Sequence, residues 1–243
     1  MLRTTTAMIL AGGLGTRLKS VVDEVPKPMA DIGGKPFLHY LFLYLHQQGL
    51  KQVVLLVGYK HTIIQNYFGK RYLDIEIAYS IESEPLGTGG AVLQASAGID
   101  QPYFLLNGDT YFEVNLAEME NSFNRQPTDV VIALSHQKNF DRYGTVKFNY
   151  QHRVIGFEEK KWVTEGWING GVYWLHHQFF QKISHSLHVQ LPKKFSIEKD
   201  IFEPLTDKLN LFAYPQGKYF IDIGIPDDYR KAQTELPEMF CRK

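Results

Sequence analysis

Apolar residues fall in this chain as short unbroken runs divided by stretches of helical spacing. Ala7-Met8-Ile9-Leu10, Gln52 to Val57, Ile75 to Ile81, Tyr103-Phe104-Leu105-Leu106-Asn107 and Val130 to Leu134 all have strand length. Runs of this kind, closed by glycine or polar residues, read as strands buried on both faces. Between them, Phe37, Leu38, Leu41, Tyr44 and Leu45 recur at helical spacing, with Pro36 at the start and Gly49 as the stop. His61 to Phe68 reads as a short helix, a third helix runs to about Ala97, and Leu116, Met119 and Phe123 fit a fourth. Asp31 to Lys35 reads as a turn. Alternation of strand and helix predicts an α/β fold, a Rossmann-like, mostly parallel sheet flanked by helices. Ligands of such sheets sit beyond the carboxyl ends of the strands.

From Tyr143 the pattern changes. Gly144-Thr145-Val146, Val154-Ile155-Gly156-Phe157 and Gly171-Val172-Tyr173-Trp174 are short strand-like pieces with polar turns between them. No linker precedes them, so they read as a small antiparallel excursion within one domain spanning residues 1–243. Ser196 is placed to cap a helix with Glu198 and Asp200 in its first turn. Tyr219 to Gly224 reads as a strand ending in Asp222, and Pro226 opens a last helix.

Two glycine-rich stretches follow strands. The first reads Leu10-Ala11-Gly12-Gly13-Leu14-Gly15-Thr16-Arg17-Leu18, with Pro26-Lys27-Pro28-Met29 shortly after. A loop almost without side chains lets backbone N–H groups close on an anion. Arg17 adds a planar cationic fork suited to phosphate oxygens. Lys27 stands between prolines that predict an extended backbone. Leu18 stands where a dinucleotide fingerprint needs its third glycine, and the Gly-Lys-Ser/Thr of a P-loop is absent. The second stretch, Glu82-Ser83-Glu84-Pro85-Leu86-Gly87-Thr88-Gly89-Gly90-Ala91, follows the third strand. Asn107-Gly108-Asp109 closes the fourth, and an aspartate there suits a hard cation.

Composition narrows the class. The 243 residues are 44% hydrophobic and 14% aromatic, ample for a core, and the net charge is +0. That balance disfavours a general nucleic-acid or acidic-membrane binder. The single cysteine, Cys241, can close no internal disulfide. The polar start does not read as a signal peptide, and no run reaches the ~20 apolar residues of a membrane span. These features point to the cytoplasm. His176-His177 and His185-x-x-His188 lie in polar flanks without cysteines and read as surface features rather than a zinc site.

Together these motifs closely resemble the signature of the sugar-1-phosphate nucleotidylyltransferases, over roughly residues 6 to 232. The resemblance implies the family's nucleotide-diphospho-sugar transferase fold and Mg²⁺ as cofactor. It implies nucleotide contacts from Leu10, Ala11, Gly12, Gly13, Gly15, Thr16, Pro85, Gly87 and Thr88, with Glu82 at the base-reading position. Arg17 and Lys27 align with the catalytic cations that hold the triphosphate. Asp109 and Asp222 align with the two metal ligands. Asn107, Gly108, Gly144, Glu159, Lys160, Asn169, Gly171 and Glu198 align with the sugar-phosphate pocket. The family often has proline after the lysine at 160, where this chain has Lys161.

The substrates implied are a nucleoside triphosphate and a sugar 1-phosphate, with pyrophosphate released. A carboxylate only accepts hydrogen bonds. Glu82 therefore suits the two adjacent donors of guanine and favours GTP, and Glu84 could do the same work. Val22-x-x-Val25-Pro26-Lys27-Pro28-Met29, Phe140-Asp141-Arg142-Tyr143-Gly144-Thr145-Val146 and Ile168-Asn169-Gly170-Gly171-Val172-Tyr173 are most similar to the guanylyltransferase branch acting on D-glycero-α-D-manno-heptose 1-phosphate. That branch feeds bacterial surface polysaccharides (lipopolysaccharide, capsule, S-layer glycan). Mannose-1-phosphate guanylyltransferases and N-acetylmuramate-1-phosphate uridylyltransferases are the in-family alternatives. A nucleotide-sugar glycosyltransferase usually carries Asp-x-Asp, whose first acid is replaced here by Asn107. A non-catalytic nucleotide-binding regulator would not need the full set of cations and acids. A homo-oligomer is compatible with the sequence.

Overall fold

A computed structural model describes residues 2–13, 25–123 and 126–241. Strand β1 (Thr6–Leu10) is central. Helix α1 (Phe37–Gln47), strand β2 (Gln52–Val57), helix α2 (His61–Phe68) and strand β3 (Ile75–Ile81) follow. Next come α3 (Gly87–Ala95), β4 (Tyr103–Asn107), the short β5 (Thr110–Phe112) and α4 (Leu116–Ser122). Then β6 (Val130–Phe140), β7 (Thr145–Phe148), β8 (Val154–Glu158) and β9 (Val163–Leu175) complete the middle of the chain. The last elements are β10 (Leu211–Gln216), β11 (Phe220–Asp222) and α5 (Pro226–Cys241).

Among the described residues the main sheet has ten strands, with the path β8-β7-β9-β4-β1-β2-β3 and Arg71–Tyr72 at its edge. The pairs β1–β2, β1–β4 and β2–β3 are parallel, as predicted for this half. Ala7 lies beside Val53 on one side and Phe104 on the other. Alternate residues face opposite layers. Ala7 and Ile9 pack under Phe37, Leu38, Leu41 and Leu45 of α1 and Ala232 and Leu236 of α5. Met8, Leu56 and Leu105 pack on the other face with Ala91 and Val92 of α3 and with Phe179 and Phe202. Burial on both faces explains why these strands are apolar throughout and do not alternate.

The excursion after Tyr143 is larger than its apolar pieces suggest. Gly171 to Trp174 is the end of the 13-residue β9, which runs antiparallel both to β4 and to β6. Polar residues such as Thr164 and Glu165 belong to the same strand because backbone pairing of Glu165 with Lys138 and of Gly166 with Gln137 carries it past the core. The β9–β6 register shifts between Asn169 and Tyr173. Gly171 sits there at φ +71, a left-handed conformation open to glycine at little cost. Strand β11 lies outside the main sheet and pairs antiparallel with β5.

Three local readings need correction. The Lys27 backbone is not extended: Lys27–Met29 form one 3-10 turn, closed by Met29 N–H to Pro26 C=O at 2.7 Å and Ala30 N–H to Lys27 C=O at 3.0 Å. Those two bonds override the usual bias of a residue before proline. The segment after Ser196 is a wide turn over Glu198–Phe202 with i to i+5 bonding, not a regular α-helix. Ser196 Oγ still accepts the Lys199 N–H at 3.2 Å. His176 and His177 are half-buried, with rings stacked 4.4 Å apart, and not plain surface residues.

Candidate functional site

The carboxyl ends of β1 and β4 meet closely. Gly108 N–H donates to Leu10 C=O at 3.0 Å, and a β-carbon at position 108 would collide with that oxygen. Ala11 N–H donates to Leu56 C=O at 2.8 Å, which leads the first glycine loop out between β1 and β2. Gly12 lies against Gly58 and Glu82; a β-carbon there would stand 2.6 Å from Glu82 Oε1. Beyond its chain neighbours, no described residue comes within 4 Å of where a β-carbon at Gly13 would stand. Gly15, Thr16 and Arg17 lie outside the described residues.

Three segments far apart in the chain converge past this junction. Lys27 Nζ donates to Asp109 Oδ2 at 2.6 Å and stands 3.8 Å from Asp222 Oδ1. The ladder between β5 and β11 sets this geometry: Asp222 is opposite Thr110, and Ile223 N–H donates to Asp109 C=O at 3.1 Å. Gly224 N–H donates to Asp222 Oδ1 at 2.7 Å, and the Lys27 amine packs on the Gly224 α-carbon. Tyr143 O–H reaches Asp222 Oδ2 at 3.4 Å. Burial and the neighbouring Asp109 charge push the Asp222 carboxyl above its ordinary value, while Lys27, the Gly224 N–H and the Tyr143 O–H pull it back.

The second glycine stretch is pinned from two sides. Glu82 Oε2 accepts the Leu86 N–H at 2.9 Å, so its carboxylate faces Gly12 across the loop mouth. Glu84 is exposed and paired with Lys193. Pro85 is exposed beside it. Leu86 C=O accepts the Phe195 N–H at 3.0 Å, and Gly89 N–H donates to Phe195 C=O at 2.9 Å. Gly87 and Gly89 are thus pressed against the 193–197 segment, where no β-carbon has room.

On the far side stand Asn169, Gly171 and Glu198. The Gly171 α-carbon leaves room for Asn107: a β-carbon would be 2.7 Å from Asn107 Nδ2. Asn169 Oδ1 accepts the Gly171 N–H at 3.0 Å. Glu198 is bonded to Thr88, Ser196 and Tyr173. Gly144 lies against the Glu158 carbonyl. Glu159 and Lys160 stand exposed past the end of β8. Burial raises the Glu203 carboxyl, and the Glu159 charge adds to it, which places Glu159 near the 198–203 turn. Lys160 pairs with none of the described residues.

Sequence reasoning gave no site role to Tyr143, Tyr173 or Gly224, and read Ser196 only as a helix cap. Tyr173 carries a legible signal: on a strand, residues 169, 171 and 173 share a face. The donor set at the convergence fits a magnesium ion. Two carboxylates meet there, and Thr110 Oγ1, next to Asp109 in sequence, is buried with no partner among the described residues. A separate groove of about 620 Å³ opens at the other end of the sheet, lined by Arg3, Trp174, His176 and Lys182 among others.

Similarity to known proteins spans the chain. Residues 6–239 match the nucleotidyl transferase family. The D-glycero-alpha-D-manno-heptose 1-phosphate guanylyltransferase of Aneurinibacillus thermoaerophilus is 50% identical over 231 residues, covering 95% of this chain and 97% of that protein. The Campylobacter jejuni protein of the same description is 45% identical, covering 92% and 96%. The crystal structure of HddC from Yersinia pseudotuberculosis complexed with GMP-PN superposes with a TM-score of 0.80 at 37% identity, covering 95% of this chain and 98% of that one.

Proposed function

This chain belongs to the nucleotidyl transferase family, and from that premise we propose that it transfers GMP from GTP to D-glycero-α-D-manno-heptose 1-phosphate, releasing pyrophosphate. The observation that carries the reaction class is the meeting of Asp109 and Asp222 across Lys27 at the carboxyl end of the sheet. The two relatives at 50% and 45% identity support guanine and heptose over the alternatives.

The chemistry asks little of proton transfer. A sugar 1-phosphate is already ionised at neutral pH, so its oxygen can attack the α-phosphorus in line while the bond to the β-phosphate oxygen breaks. The obstacle is repulsion between two polyanions, and the answer is charge and position. Lys27, held in its turn and against Gly224, presents a fixed ammonium to the triphosphate. The Gly12 and Gly13 amides, with Arg17, take the departing phosphates. Lys160 has no partner to leave among the described residues and takes the incoming phosphate. Asn169 and Glu198 hold the sugar. Mg²⁺ on Asp109 and Asp222 would supply further positive charge at the reacting phosphate. Glu82 has one carboxylate oxygen steadied by Leu86 N–H and reads the base with the other. Among the described residues no helix is long and apolar enough to cross a membrane, and we place the protein in the cytoplasm with its phosphorylated substrates.

The test is a panel of GTP, UTP, CTP and dTTP against manno-heptose, mannose and N-acetylmuramate 1-phosphates, reading pyrophosphate. GTP with the heptose 1-phosphate is expected to give the highest kcat/KM. UTP or dTTP ahead of GTP would overturn the base assignment, and mannose ahead of heptose the sugar assignment.

A further inference from the structure

Thr88 sits in the loop that the resemblance gives to the nucleotide, yet its hydroxyl is spent on the other substrate's side. Thr88 Oγ1 donates to Glu198 Oε2 at 2.8 Å and accepts the Ile197 N–H at 2.9 Å. Ser196 Oγ donates to the same Oε2 at 2.8 Å. The other oxygen, Oε1, accepts from Tyr173 O–H at 3.1 Å. Tyr173 in turn accepts from Asn169 Nδ2 at 2.8 Å, and Asn169 Oδ1 accepts the Gly171 N–H at 3.0 Å.

The direction of every bond follows from one fact: a carboxylate can only accept. The Thr88, Ser196 and Tyr173 protons must therefore point at Glu198. The Tyr173 oxygen is then free to accept, which turns the amide nitrogen of Asn169 toward it and the amide oxygen toward Gly171. One Asn169 N–H is left over. The Tyr173 phenol is wholly buried, and burial with the Glu198 charge beside it keeps its proton on. A hydrogen-bonded network anchored on a buried phenol in this way fixes geometry.

We propose that Tyr173 and Thr88 are positioning residues for the sugar 1-phosphate, acting through Glu198 and Asn169, so that one hydrogen-bonded chain sets the sugar subsite and ties it to the glycine loop before α3. The inference rests on the proposed function for its substrates, and not on which sugar is preferred. Neither residue needs to touch the substrate. Tyr173 orients both sugar-facing groups from behind, and Thr88 lets a loop on the nucleotide side hold the carboxylate still.

The test compares Tyr173→Phe, Thr88→Val and the double variant with the unaltered protein, on whichever triphosphate and sugar 1-phosphate pair the panel favours. Each single change is expected to raise KM for the sugar 1-phosphate about tenfold, the scale of one hydrogen bond to a charged group, with KM for the triphosphate moved by under about twofold. The double variant should lose less than the product of the two single losses, because both act on one carboxylate. Unchanged sugar KM in both single variants, or equal rises in both KM values, would overturn the proposal. A fall in melting temperature alone would do the same. Should Tyr173→Phe fail to fold, Thr88→Val at its half-buried position decides the matter by itself. Calorimetric binding of the sugar 1-phosphate gives the same comparison without turnover, so failure of the reaction assignment is read separately.

Discussion

The Lys27 ammonium stands between two carboxylates, 2.6 Å from Asp109 Oδ2 and 3.8 Å from Asp222 Oδ1. It neutralises a pair of acids that would otherwise repel at close range, and on the proposed function it does so where the triphosphate lands. Lys27→Met is expected to lower kcat by about 10²- to 10³-fold, the scale of one lost electrostatic contact in the transition state. It should also lower the melting temperature of the ligand-free protein, with magnesium restoring more stability to the variant than it adds to the unaltered chain. Pyrophosphate release and calorimetric scans with and without magnesium check both halves.

Glu82→Gln changes an acceptor-only group into one that also donates. The expected outcome is a loss of at least about tenfold in kcat/KM for GTP, with UTP affected less, since a wrongly paired donor is strongly rejected. Kinetics with the two triphosphates at a fixed sugar 1-phosphate measure it. Equal losses for both would mean that Glu82 only braces the loop through Leu86.

Gly108→Ala places a methyl group on the Leu10 carbonyl, where two central strands end. Backbone must move to relieve it. A destabilisation of about 1–3 kcal/mol is expected, in line with overpacked sites, read as a shift in the denaturant midpoint at unchanged slope.

His176 predicts an acid-side loss of stability. Burial, then His177 and Lys182, hold its imidazole below the ordinary value of 6.5, against the pull of Asp129. Its Nδ1 accepts the Gln178 N–H at 3.2 Å, as a neutral ring does. The unfolded chain therefore takes up a proton first as pH falls. The contribution is whole above about pH 6.5 and is lost progressively below it, down through the folded-state value. His176→Asn keeps an acceptor for Gln178 without the titration. Its melting temperature should fall less than that of the unaltered chain between pH 7 and pH 5.

Much of this architecture is legible from residue pattern because the strands around β1 are buried on both faces. A run such as Gln52 to Val57 has little else to be. The same logic fails for β9. Thr164 and Glu165 give no apolar signal, and only the partner strand β6 carries the backbone through them. The site divides in the same way. Asp109 and Asp222 are found by motif, and the fold brings them together. The turn at Lys27 is misread, because two local backbone bonds outweigh the bias that Pro28 imposes. Tyr173 is easily passed over because a buried aromatic in a strand reads as core, and it is core; only its place on the face of Asn169 marks its hydroxyl as the exception.

The ribbon formed by Thr110–Phe112 and Phe220–Asp222 works as a caliper. Its paired backbones fix the gap between the two acids independently of the surface loops and of the residues facing the acceptor. On the proposed function, substrate scope can therefore drift, by evolution or by design, through Asn169 and the turn at Glu198 while the reacting phosphates stay gauged to the same opening.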